Sequence, residues 1–111
     1  MREKNIEKYL GEKVKKAGGL YWKFVSPGVN GVPDRIVILN GVVAFVELKA
    51  PGKYPRVLQR YRHDQLIRNK QLVITVDSIE AADDLMQLIQ KLSDLVDYAT
   101  DPEVTNGIPR S

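Results

Sequence analysis

Three ionisable residues sit in apolar runs where a plain core has no use for them. They are Asp34, Glu47 and Lys49, in the stretch GVPDRIVILNGVVAFVELKAPG, residues 31–52. A charged group taken out of water without a partner costs several kcal/mol, so these three must pair or serve a site. Side chains alternate along a strand, which puts Val43, Phe45, Glu47 and Lys49 on one face and Val42, Ala44, Val46 and Leu48 on the other. Asn40–Gly41 is a strong two-residue hairpin signal, and a turn there pairs residues whose numbers sum to about 81. Asp34 then lies opposite Glu47. Facing carboxylates repel across a ladder unless a cation lies between them. Oxygen ligands at an open site suit Mg²⁺ or Mn²⁺. The plainer account is a buried triad in which Lys49 neutralises both acids. The spacing favours that triad, whereas the Gly/Pro loops at the strand ends favour a site.

The surrounding elements follow from periodicity. Residues 3–17 carry Ile6, Leu10, Val14 and Ala17 at helical spacing, and Gly18–Gly19 end the run. LYWKFV (20–25), DRIVIL (34–39), VVAFVELK (42–49) and QLVITV (71–76) read as strands. SPGVNGVP (26–33) and APGKYP (50–55) read as loops. Residues 56–69 read as a helix with Leu58, Tyr61, Leu66 and Ile67 inward, and Asn69 is the expected left-handed residue after it. Ser78 is placed to cap a last helix from Ile79 to about Tyr98, whose stripe is Ala82, Leu85, Met86, Ile89, Leu92 and Val96. The order is α-β-β-β-α-β-α, an α/β domain over residues 1–98 with a mixed sheet between helices, followed by a loose tail over 99–111. The last strand is expected to lie parallel to its neighbour, reached through the preceding helix.

Composition narrows the function classes. The 111 residues contain no cysteine, which excludes disulfides and thiolate metal sites. No apolar run is long enough to span a bilayer, and the charged start MREKNIEKYL lacks a signal core, so a cytoplasmic protein is expected. Net charge is +3, but residues 1–70 hold 15 Lys/Arg against 6 Asp/Glu, while residues 71–111 hold 2 against 8. A basic portion of that size suits a polyanion such as DNA, and equally a solvated helix face.

GVPD (31–34), then ELK (47–49) with APG after it and LQRY (58–61) downstream, resembles the PD-(D/E)XK nuclease superfamily. More closely, it is similar to the stand-alone VRR-NUC (virus-type replication-repair nuclease) domains of phages and bacteria, over roughly residues 3–90. The resemblance implies a restriction-endonuclease-like core and a metal-dependent endonuclease using Mg²⁺ or Mn²⁺. Asp34 and Glu47 would hold the metal, with the main-chain carbonyl of Leu48 as a third ligand. Lys49 would position and activate the attacking water. Glu7 best matches the family's carboxylate on the first helix, with Glu3 its competitor. Gln59 matches the family's glutamine, which would bind the scissile phosphate or a metal-held water; its plain reading is a polar residue on the helix's solvent side.

The resemblance also implies a homodimer acting on Holliday junctions or other branched DNA. A nicking or flap nuclease of phage replication and a non-catalytic DNA-binding module are the alternatives. Lys53, Arg56, Arg60 and Arg62 are the candidate phosphate contacts. His63, the sole histidine, reads as a surface group. Tyr21 and Trp22 read as core or interface residues.

Overall fold

The computed structural model describes residues 1–100, and the side chains of residues 1–96. The elements are α1 (Glu3–Lys16), β1 (Leu20–Lys23), β2 (Arg35–Leu39), β3 (Val42–Leu48), α2 (Val57–Arg68), β4 (Leu72–Val76) and α3 (Ile79–Thr100). This is the order expected from the sequence. β1 is shorter than the apolar run suggested, and α3 passes Tyr98 by two residues. Beyond Thr100 the expected loose tail lies outside the described residues.

The strands form one sheet in the order β1-β2-β3-β4. The β2–β3 register runs from Arg35 opposite Val46 to Leu39 opposite Val42, which is the pairing the Asn40–Gly41 turn demands. Both turn residues have positive φ, 49° and 82°, as a type I′ hairpin requires. β1 pairs antiparallel with β2, and β4 pairs parallel with β3 after the α2 crossover.

One face of the sheet is conventional. Val37, Ala44, Val46, Leu48 and Val76 meet Ile6, Leu10 and Val14 of α1 and Ala82, Leu85 and Ile89 of α3, and all are buried. The helical stripes on α1 and α3 predict these contacts, because only one side of each helix is apolar. Ser78 Oγ accepts the Ala81 N–H at 3.0 Å and starts α3 as expected.

The opposite face differs. Its residues form cross-strand rows, Leu20–Ile38–Val43 and Trp22–Ile36–Phe45–Val73. Leu20, Trp22 and Val43 are 43%, 56% and 41% exposed, so much of this face is open. α2 packs against β4 and brings Gln59 and His63 to Glu47. Of the expected inward residues of α2 only Leu66 is partly covered: Leu58, Tyr61 and Ile67 are 45%, 55% and 50% exposed, while Gln59 and His63 are buried. The reason is that α2 docks over a carboxylate, and a buried carboxylate requires polar neighbours. Another expectation fails just beyond α2. Asn69 has φ −91°, and Lys70, with φ 65°, makes the left-handed turn.

Candidate active site

Asp34 stands one residue before β2, and Glu47 lies one residue before the end of β3. Asp34 is fixed at both of its polar ends. Its carbonyl accepts the Phe24 N–H at 2.9 Å, and its Oδ2 accepts the Leu48 N–H at 2.8 Å. The Leu48 side chain points away into the core, so this residue reaches the site through its backbone. Gly31 sets the approach of the GVPD loop to α2. Its φ is 86°, and an added Cβ would come within 3.2 Å of the Leu58 backbone, so a side chain there would push the loop off the helix.

Glu47 is 1% exposed. Its Oε2 accepts a hydrogen bond from Gln59 Nε2 at 3.3 Å and lies 3.8 Å from Lys49 Nζ. Its Oε1 faces His63 Nε2 at 3.4 Å, and neither of these two atoms has a hydrogen-bond partner. Burial pushes the Glu47 carboxyl up to about 8; the hydrogen bond and charge of Asp34 and the charge of Glu3 add to this, and Lys49 opposes it. At neutral pH a proton therefore lets the two acids sit together. Burial also lowers the His63 pKa, which keeps the imidazole neutral beside Glu47. Lys49 makes no ion pair with Asp34 among the described residues, so the triad that would neutralise both acids is not what forms.

This set fits a hard divalent cation. The two acids adjoin, one is held protonated by its surroundings, and one buried carboxylate oxygen lacks a partner. Among the described residues no three His, Cys, Asp or Glu side chains form a metal cage. Such an open site suits Mg²⁺ or Mn²⁺, which keep several waters and need few protein carboxylates. Asp34 and Glu47 are the side chains that would hold one.

The remaining candidates divide. Gln59 is buried rather than on the solvent side: besides its bond to Glu47, its Oε1 accepts the Arg56 N–H at 2.8 Å and fastens the start of α2. Glu7 shares a groove with Lys23, Phe24, Val25 and Asp34, but its Oε2 is engaged by Arg35 Nε at 3.3 Å. Glu3, its competitor, is exposed, yet its charge reaches Glu47. Lys53, Arg56 and Arg60 are exposed, and Arg56 lines a groove with Gln59. Arg62 is partly spent within the fold, donating to the Asn30 carbonyl at 2.8 Å and to Gln65 Oε1 at 3.0 Å.

Sequence reasoning missed two residues. His63 is buried against Glu47 rather than on the surface; the available signal was its position four residues after Gln59, hence on the same helix face. Arg35 stacks over Tyr21 at 4.5 Å while holding Glu7, and the Tyr21 hydroxyl donates to the Glu7 carbonyl at 2.9 Å. A second groove along α1 is lined by Lys4, Glu7, Lys8, Lys15, Tyr21 and Arg35.

This fold has a direct counterpart among solved structures. A solved structure described as "VRR_NUC domain" superposes with a TM-score of 0.72 at 33% identity, covering 77% of this chain and 94% of that one. The chain belongs to the VRR-NUC nuclease family. It is also 51% identical over 79 residues to a protein described as "Putative nuclease p44" from Acyrthosiphon pisum secondary endosymbiont phage 1, spanning 70% of this chain and 85% of that relative. No family model matches the sequence. Among the described residues no helix is long and apolar enough to cross a membrane.

Proposed function

We propose that this VRR-NUC protein is a divalent-metal-dependent endonuclease that hydrolyses phosphodiesters of branched DNA as a homodimer. The observation that carries the metal chemistry is Glu47, a carboxyl buried against Asp34 and Gln59 with one oxygen lacking a hydrogen-bond partner. When bound, the cation supplies Lewis-acid polarisation of the scissile phosphate and lowers the cost of deprotonating water. Asp34 and Glu47 hold it, and the Leu48 carbonyl is the third protein ligand we propose. Lys49, 3.8 Å from Glu47 on the same face, offers its ammonium to the charge that grows on the phosphate oxygens. Gln59 holds Glu47 in place. Glu7 lies in the same groove as Asp34 and also holds Arg35, which lines the groove along α1.

Two sets of exposed basic residues are the candidate DNA tracks. One is Lys53, Arg56 and Arg60, and the other is Lys4, Lys8 and Lys15 on α1. The dimer reading is supported by the open face around Leu20, Trp22 and Val43, which lies on the same side of the sheet as Glu47. A twofold pair of active sites matches the symmetry of a four-way junction.

Cleavage of a synthetic four-way junction with and without Mg²⁺ tests the activity; metal-dependent paired nicks are expected. Equal or faster cutting of flap or nicked duplex would move the substrate to replication intermediates. Binding without cleavage at any Mg²⁺ or Mn²⁺ concentration would make the chain a DNA-binding module. Trp22→Glu should convert the dimer to a monomer in sedimentation, and an unchanged mass would place the interface elsewhere.

A further inference from the structure

The two oxygens of Glu47 have separate neighbours, and both neighbours that are uncharged come from α2. Gln59 approaches Oε2 and His63 approaches Oε1. The two residues are four apart, so they project from one face of the helix and grip the carboxylate from both sides. They are also the two buried residues of α2. A helix that merely covered the sheet would bury leucines here; α2 leaves Leu58 and Ile67 half exposed and turns its amide and imidazole inward.

We infer that His63 is a positioning residue: its Nε2–H steadies Oε1 of Glu47, so that Gln59 and His63 together fix the rotation of the carboxylate that receives the divalent cation. This rests on the metal reading proposed above. At 3.4 Å the contact is just longer than a good N–H···O bond, and neither atom has another partner among the described residues. Leaving both atoms unbonded in the interior would cost roughly 1–3 kcal/mol per group, which disfavours a purely space-filling histidine. His63 does not complete a three-side-chain metal cage with Asp34 and Glu47, which disfavours direct ligation. Groups that hydrogen-bond to metal ligands typically govern affinity by about 10- to 100-fold.

The test is Mn²⁺ titration of the full chain, with free Mn²⁺ read by its electron paramagnetic resonance signal, for wild type, His63→Leu and His63→Gln. Glutamine carries an amide N–H close to the position of Nε2. His63→Leu is expected to bind Mn²⁺ about 10- to 100-fold more weakly, and His63→Gln within about threefold of wild type. Pulsed spectra of the wild-type complex are expected to show no directly bound nitrogen. Metal-free melting curves check the fold, and His63→Phe replaces the leucine variant if that one does not melt cooperatively. Unchanged affinity in the leucine or phenylalanine variant overturns the proposal, as does failure of glutamine to restore binding. A directly bound nitrogen overturns it in favour of His63 as a ligand. Absence of Mn²⁺ binding by the wild type itself would remove the metal reading and this proposal together, and is recognised by that outcome alone.

Discussion

The two faces of the sheet are built for different purposes. Against α1 and α3 the interior is apolar from Ile6 to Ile89, with Ser93 of α3 its buried polar exception. Against α2 the buried groups are a carboxyl, an amide and an imidazole, while apolar side chains stay half exposed. The first face lowers the free energy of the fold through area removed from water, at roughly 25 cal/mol per Å². The second holds Glu47 in a setting that raises its pKa, at a cost the first face must offset. Stability and chemistry are thus separated by one strand. Alternate residues of β3 serve each: Val46 and Leu48 the core, Glu47 and Lys49 the site.

If that separation is real, damage to one face should spare the other. The largest effect is expected from Glu47→Gln and Asp34→Asn, which should each reduce junction cleavage by roughly 10³-fold or more, since each removes a proposed metal ligand. Their metal-free melting temperatures at neutral pH should stay close to wild type, because Glu47 is already uncharged there and Asp34→Asn keeps an oxygen that can accept the Leu48 N–H. Wild-type cleavage rates in both variants would end the assignment of the site.

The converse experiment is Leu10→Ala. A fully buried leucine on the conventional face should cost about 2–5 kcal/mol in denaturant unfolding. Cleavage per folded molecule should be retained. A cleavage loss well beyond the unfolded fraction would show that the faces are coupled through β3.

The two basic tracks sharpen the comparison further, since one borders α2 and the other lies on α1. Replacing Lys53, Arg56 and Arg60 with Ala should flatten the salt dependence of metal-free DNA binding by up to roughly three units, at about 0.9 per phosphate contact on duplex DNA. The matching triple substitution of Lys4, Lys8 and Lys15 should flatten it less, because these residues border Glu7 rather than Glu47. The reverse ranking would run the DNA along α1.

The smallest effect concerns pH. The folded protein keeps the Glu47 proton up to about 8, whereas the ordinary value is 4.5. Between those values the folded state binds more protons than the unfolded one, so stability falls as pH rises and levels off above the folded pKa. The metal-free melting temperature should drop from pH 5 to pH 8.5, and Glu47→Gln should remove this group's share of the drop. A melting curve that shifts equally in both proteins would show that other groups govern it.

What could be read from residues alone was whatever neighbouring positions dictate. Asn40–Gly41 sets a two-residue turn, the turn sets the register, and the register brings Asp34 beside Glu47, with Lys49 on the same face. The stripes of α1 and α3 announced their buried sides because apolar spacing matches the helical period. The orientation of α2 was not legible in this way. Its apolar residues are scattered around the helix, so its buried side is chosen by what it docks against. That is Glu47, 12 residues before Gln59 along the chain. Only tertiary packing could decide that His63 is interior, that Gln59 both fastens α2 and grips Glu47, and that Arg35 occupies Glu7. Local sequence sets backbone geometry within an element. The partners of a buried polar group are set by which elements meet around it, because each such group is stabilised only where a complementary one is brought to it.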